Sequence, residues 1–134
     1  MNIASFDDLL AAARQQPDPQ RLLFVFVGVE MPAQASAEQQ QRHAQKSGGY
    51  LSPLMCVDKQ PSEVADFAAL VEESRATGKE WDMVFAGGLG GRNGQPPTSQ
   101  DIDSALKAMI ESIQGGRIGH LLAFDKQGVP VQFL

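Results

Sequence analysis

The stretch Leu22-Leu-Phe-Val-Phe-Val-Gly-Val29 decides how this chain folds. It is apolar on both alternations and rich in β-branched and aromatic residues, the composition of a strand buried on both faces. Such a strand belongs in the middle of a sheet with helices on either side, which predicts the α/β class. Before it, Ser5 and Asp8 form a capping-box pattern, and Phe6, Leu9, Leu10 and Ala13 fall on one helical face until Pro17 and Pro19 end the turn. After it, segment 31–49 loses apolar residues and gains glutamines. Ser36 can cap a polar helix over 37–46, and a helix is favoured there over a loop although the apolar stripe is weak.

Further along, 50–57 reads as a second strand, with Pro53 marking a strand start or an edge. A third helix follows. Pro61 suits its first position, Val64, Phe67, Ala68 and Val71 form its stripe, and Arg75 and Gly78 close it. Trp81-Asp-Met-Val-Phe-Ala86 is a strand that runs into a glycine-rich turn, 87–94. Thr98 and Asp101 then repeat the capping-box pattern ahead of an amphipathic helix ending at Gly115 and Gly116. Its stripe is Ile102, Ala105, Leu106, Met109, Ile110 and Ile113, and Asp103, Lys107 and Glu111 occupy the wet side. The chain closes with strand 118–124, the turn 125–128 and strand 129–133, a β-hairpin in which Pro130 suits an edge. Helical crossovers imply parallel neighbours and the hairpin an antiparallel pair. The expectation is one α/β domain over 1–134: a mixed, mostly parallel sheet of about five strands, helices packed on its faces, and a C-terminal β-hairpin.

At 134 residues, with 43% apolar and 20% charged residues, the chain has the composition of an ordinary globular domain with a core of its own. A net charge of −5 disfavours nucleic acid and anionic membrane, since the eleven cations are spread along the chain. Cys56 is the single cysteine, which fits a reducing compartment, and no apolar run reaches the roughly 20 residues of a membrane span. The acidic start Met-Asn-Ile-Ala-Ser-Phe-Asp-Asp lacks the cations of a signal peptide, so the expected location is cytoplasmic.

In a parallel sheet, loops leaving the carboxyl ends of strands gather into a crevice. That rule nominates Glu30, then Asp58 and Lys59, then Gly87, Gly88, Gly90, Gly91, Arg92 and Gly94 as neighbours able to hold an anion on backbone N–H groups and a guanidinium. The pattern is not a phosphate-binding P-loop, and the dinucleotide fingerprint fails at Asn93. A flexible surface connector is the reading favoured over a ligand loop. Cys56 lies in the apolar run Leu54-Met-Cys-Val57 and reads as core, as do Trp81 and Tyr50. His43 and His120, with one cysteine, do not make a zinc set, and Glu72 and Glu73 read as a solvated face.

The runs Phe6-Asp-Asp-Leu-Leu10, Arg21-Leu-Leu-Phe-Val-Phe26, Pro53-Leu-Met-Cys-Val-Asp-Lys59, Asp66-Phe-Ala-Ala-Leu-Val-Glu-Glu-Ser74 and Gly116-Arg-Ile-Gly119 resemble a family of small proteobacterial proteins of about this length. Its members often carry the label of a ribonucleotide reductase alpha subunit. The resemblance implies a bacterial source. The label does not transfer, because such a subunit is far larger and uses several cysteines, where this chain has Cys56 alone.

With no catalytic set in view, the expected function is a non-enzymatic interaction or regulatory module without cofactor or metal, partnered by itself as a homodimer or by another protein. The terminal hairpin edge and the apolar end Val131-Gln-Phe-Leu134 are the expected contacts. The alternative is a protein or enzyme that binds a small anionic ligand or nucleotide through 87–94.

Overall fold

The computed structural model describes residues 5–29, 51–119 and 121–131. Glu30, the expected helix over 37–46, His43, Tyr50, His120 and the last residues of the expected terminal strand lie outside them. The elements run α1 (Phe6–Arg14), β1 (Gln20–Val29), β2 (Leu51–Lys59), a 3-10 turn (Pro61–Glu63), α2 (Phe67–Arg75), β3 (Met83–Gly90), α3 (Ser99–Gln114) and β4 (Leu122–Asp125).

The chain is of α/β type, but its sheet is antiparallel throughout, with four strands among the described residues in the order β2-β1-β3-β4. The expectation of about five mostly parallel strands is therefore corrected. Strands β2 and β3, joined through α2, do run in the same direction. They are not neighbours, because β1 lies between them and opposes both. Likewise α3 joins β3 to β4, and residues 115–121 carry the chain back so that β4 opposes β3. A helical connector therefore gives a parallel pair in neither case: β1 is inserted between β2 and β3, and β3 and β4 adjoin but the chain reverses after α3, and sequence pattern shows neither event.

Burial on both faces stands for residues 22–28, whereas Val29, the last of the expected run, is exposed. Leu22, Phe24 and Phe26 join Phe6, Leu9 and Leu10 of α1, Leu70 of α2 and Trp81 in one core. Leu23, Val25 and Val27 join Leu106, Met109 and Ile113 of α3 in the other. Alternation along a strand sends successive side chains to opposite faces, so one apolar run serves two cores. Phe6 ties the first together, 5.0 Å from the Phe67 ring and 5.4 Å from Phe124, both edge-on. Ser74 is buried, and its hydroxyl accepts from Trp81 Nε1 at 2.9 Å while donating to the Val71 carbonyl at 2.6 Å.

Both helix starts read from capping residues form as expected. Ser5 accepts from the Asp8 N–H, and Thr98 and Asp101 make a reciprocal capping box. The third helix does not begin at Pro61. Its first three residues make a 3-10 turn, Val64 turns extended into the core, and Asp66 caps a new start by accepting from the Ala69 N–H at 2.8 Å. Val64, Phe67 and Val71 of the expected stripe still pack against the core, but Ala68 is exposed and Leu70, outside that stripe, is buried. At the C-terminal end, Asp125 and Gly128 close a turn, the latter at φ 80°. Up to residue 131 the return segment makes a bridge between Phe124 and Pro130, with the Asp125 N–H donating to the Val129 carbonyl at 3.0 Å and the Val131 N–H to the Ala123 carbonyl at 2.9 Å.

Candidate functional site

Because β2 and β3 share a direction, their carboxyl ends reach the same end of the sheet. Asp58 and Lys59 pair with Leu23 and Leu22 from one side, and Gly87 and Gly88 pair with the same two residues from the other. The nominated groups thus share a sheet end but are separated by β1. Val29, which precedes Glu30, lies at the opposite end, across from Leu51.

The glycine-rich segment is not a flexible loop. Gly87, Gly88 and Gly90 are strand residues of β3, and the Gly91 N–H donates to the Pro19 carbonyl at 2.9 Å. Arg92 and Gln95 exchange both backbone bonds, at 3.0 and 2.8 Å, around Asn93 at φ 52° and Gly94 at φ 77°. Two successive positive φ angles define the hairpin turn that Asn-Gly favours, and that dipeptide was the legible signal for it. A Cβ on Gly91 would collide with the Gln95 carbonyl oxygen, so glycine is required there by backbone contact. The N–H groups of Gly91, Arg92 and Gly94 all have protein acceptors, Gly94 donating to the Asp18 carboxylate at 2.9 Å.

The charged candidates are also engaged. Asp58 accepts from Arg21 Nε at 2.7 Å, Arg21 reaches Glu63 at 3.9 Å, and Lys59 pairs with Glu73. Glu72 pairs with Arg75 across one turn. Such partly exposed pairs contribute on the order of 0–1 kcal/mol each. Arg92 is exposed, and its charge is a minor contributor to lowering the pKa of Asp101. The main cause is the pair of hydrogen bonds to Thr98. Because the folded pKa lies below the ordinary value of 3.8, the cap's contribution is present above that pH and is lost as pH falls through the folded value. Thr98→Ala is expected to raise the Asp101 pKa towards that ordinary value in an NMR titration and to cost about 0.5–2 kcal/mol in urea unfolding.

Concavities among the described residues flank this architecture. A cleft of about 700 Å³ with mixed polar and apolar walls lies at the sheet end, between the close of α1, the Pro17 to Arg21 link, the 3-10 turn and the Gly94 hairpin, with Arg14, Gln16, Asp18 and Gln20 among its walls. Its rim holds Pro17, Pro19, Pro61 and Pro96, four residues with fixed φ. A second is smaller, about 210 Å³, and mainly apolar. It lies between β2 and α2 and is lined by Phe26, Met55, Val57, Leu70, Ser74 and Thr77, with Cys56 and Glu73 at its margin.

That second pocket adjoins an open edge, since β2 has no outer neighbour among the described residues. The Pro19 and Val27 carbonyls and the Val29 N–H all face β3, so odd residues of β1 point their backbone to β3 and even ones to β2. Through the register, Met55 and Val57 then bond to β1 while Cys56 and Asp58 point their N–H and C=O groups outward. Upstream, the edge is blunted. A bulge falls opposite Phe26 and Val27, Pro53 has no N–H, and Lys79 Nζ covers the Leu54 carbonyl at 3.3 Å. Pro53 announced the edge position in the sequence. Cys56, expected in the core, is exposed, because an edge strand's α3-side face is incompletely covered there. Among the described residues no three His, Cys, Asp or Glu side chains gather to hold a metal, and no helix is long and apolar enough to cross a membrane. Comparison with protein-family models, with curated proteins and with solved structures finds no match to this chain.

Proposed function

We propose that this chain is a non-enzymatic interaction module that takes an extended polypeptide segment as an added strand along β2. The observation behind this reading is the pair of outward backbone positions, Cys56 and Asp58, next to an apolar pocket that α2 walls. Main-chain bonds at such an edge supply affinity, and a pocket for alternate side chains supplies selectivity. A second copy is the symmetric occupant. A two-fold axis at Val57 would set Cys56 of one copy opposite Asp58 of the other, and light scattering over a concentration series tests for that homodimer. The general test is a selection of random peptides on the protein, counter-screened against Cys56→Pro. This substitution removes one outward N–H and leaves the bonds to β1 in place. Peptides that bind both forms equally would remove strand addition as the mode.

The second reading is a small anionic ligand in the 700 Å³ cleft, supported by Arg14 and Arg21 among its lining residues. One Arg14 nitrogen donates to the Val64 carbonyl at 3.2 Å, and the rest of the guanidinium is available to a carboxylate or phosphate. A thermal-shift series with citrate, inorganic phosphate and nucleotides should then show stabilisation that Arg14→Ala abolishes. Equal melting in all of them counts against this reading. A cytoplasmic setting is part of the same proposal, since it keeps Cys56 reduced.

A further inference from the structure

Resting on the strand-addition reading, we propose that the segment accepted by β2 carries an apolar side chain and, two residues later, an acidic one. The register dictates where its side chains go. A strand added antiparallel to β2 places two residues opposite Cys56 and Asp58, bonded to them, and its intervening residue opposite Val57. Met55 and Val57 face the α2 side of the sheet, so that intervening residue faces the same side, where the 210 Å³ pocket offers Phe26, Met55, Val57 and Leu70. The volume takes one side chain of leucine size.

The next residue on that face stands opposite Met55, and there the electrostatics change. Lys79 lies on the Leu54 carbonyl, and with Arg75 and Lys126 it lines a further pocket of about 410 Å³ over Trp81. Arg75 and Lys79 from the close of α2 and the turn after it and Lys126 from the turn after β4 meet here, against Glu80 in the lining and Glu72, which is bonded to Arg75. The local balance is positive in a protein of net charge −5, so a carboxylate arriving along β2 meets its complement here. Lys59 and Glu73, at the other end of the pocket, neutralise one another. A second copy fits this arrangement less well, because the two-fold register about Val57 would bring its Lys59 opposite Met55, cation towards cation. We therefore commit to a segment of another polypeptide with the pattern apolar-x-acidic.

The probe is the end-blocked, fluorescently labelled hexapeptide Ser-Thr-Leu-Thr-Glu-Thr, followed by polarisation. Replacing its Leu by Ser should weaken binding tenfold or more, as expected for losing a buried leucine (about 1.5–3 kcal/mol). Replacing its Glu by Lys should weaken binding about three- to fivefold, and Lys79→Glu should recover that loss. N-methylation of the Thr between Leu and Glu, whose N–H faces Cys56, should abolish binding, and N-methylation of the Leu should not. That last pair needs no variant protein and so does not depend on Cys56→Pro folding. Equal binding of the Leu and Ser peptides, or of the Glu and Lys peptides, overturns the partner chemistry while leaving strand addition in place. If N-methylation at the paired Thr has no effect, strand addition itself falls, and the partner chemistry with it. If no peptide binds at about 1 mM, the apolar-x-acidic pattern is overturned, and a dimer split by Cys56→Pro would then assign the edge to a second copy.

Discussion

Phe24→Ala is expected to lower the unfolding free energy by about 3–5 kcal/mol, read from the urea midpoint at constant slope. The ring is 0% exposed, stacks 6.0 Å from Phe6, and belongs to the core that joins β1 to both helices of its face. Truncation removes the transfer free energy of most of a phenyl group and leaves a cavity that a sheet held from two sides cannot collapse to fill. Against the 5–15 kcal/mol typical of a domain, that loss brings the protein close to unfolding. Val29→Ala is the matched control. It lies on the same strand, is 43% exposed, and should shift stability by no more than about 0.5 kcal/mol. A loss below about 1 kcal/mol at Phe24 would mean that β1 is not enclosed between two helical layers.

A proline placed at 57 should unfold the protein where one placed at 56 is tolerated. Val57 lies opposite Phe24, and its N–H points into the sheet, so Val57→Pro strips the Phe24 carbonyl of its donor inside the core. An unpaired buried carbonyl costs about 1–3 kcal/mol, and the ring's collision with β1 adds to that. Cys56→Pro removes only an outward N–H on an exposed residue, so circular dichroism and the urea midpoint should change little. Equal damage from both would show that the outward and inward positions of β2 have been assigned the wrong way round, and the proposed docking edge would be lost with that assignment.

Local chemistry was legible wherever the deciding partners were close in sequence. Ser5 with Asp8, and Thr98 with Asp101, mark helix starts because the cap and the N–H it satisfies are three residues apart. Asn93-Gly94 carried an equally local signal, the hairpin turn, which was obscured by reading the surrounding glycines as one loop. Pro61 misled because a proline that suits a first helical turn also suits a 3-10 turn, and Val64 is buried in either case; its extended backbone and the new cap at Asp66 are what separate the two. Of the nominated site, Asp58, Lys59 and the glycine segment were expected as neighbours in one crevice, but they only share a sheet end, with β1 between them. That shared end follows from two strands running the same way on either side of β1, and parallel adjacency plays no part.

By itself the sequence pointed to residues 22–29 as a strand deep in a sheet covered front and back, because its apolar run is rich in β-branched and aromatic residues; residues 22–28 are so placed, and Val29 at the end of the run is 43% exposed. Tertiary structure alone decided which strands adjoin, and with that the antiparallel sheet, the position of β2 at its edge among the described residues and the exposure of Cys56. The reason is that side-chain pattern reports whether a strand is buried. Which backbone stands beside it is settled by hydrogen bonds between residues far apart in the chain, and N–H and C=O groups are the same at every position but proline.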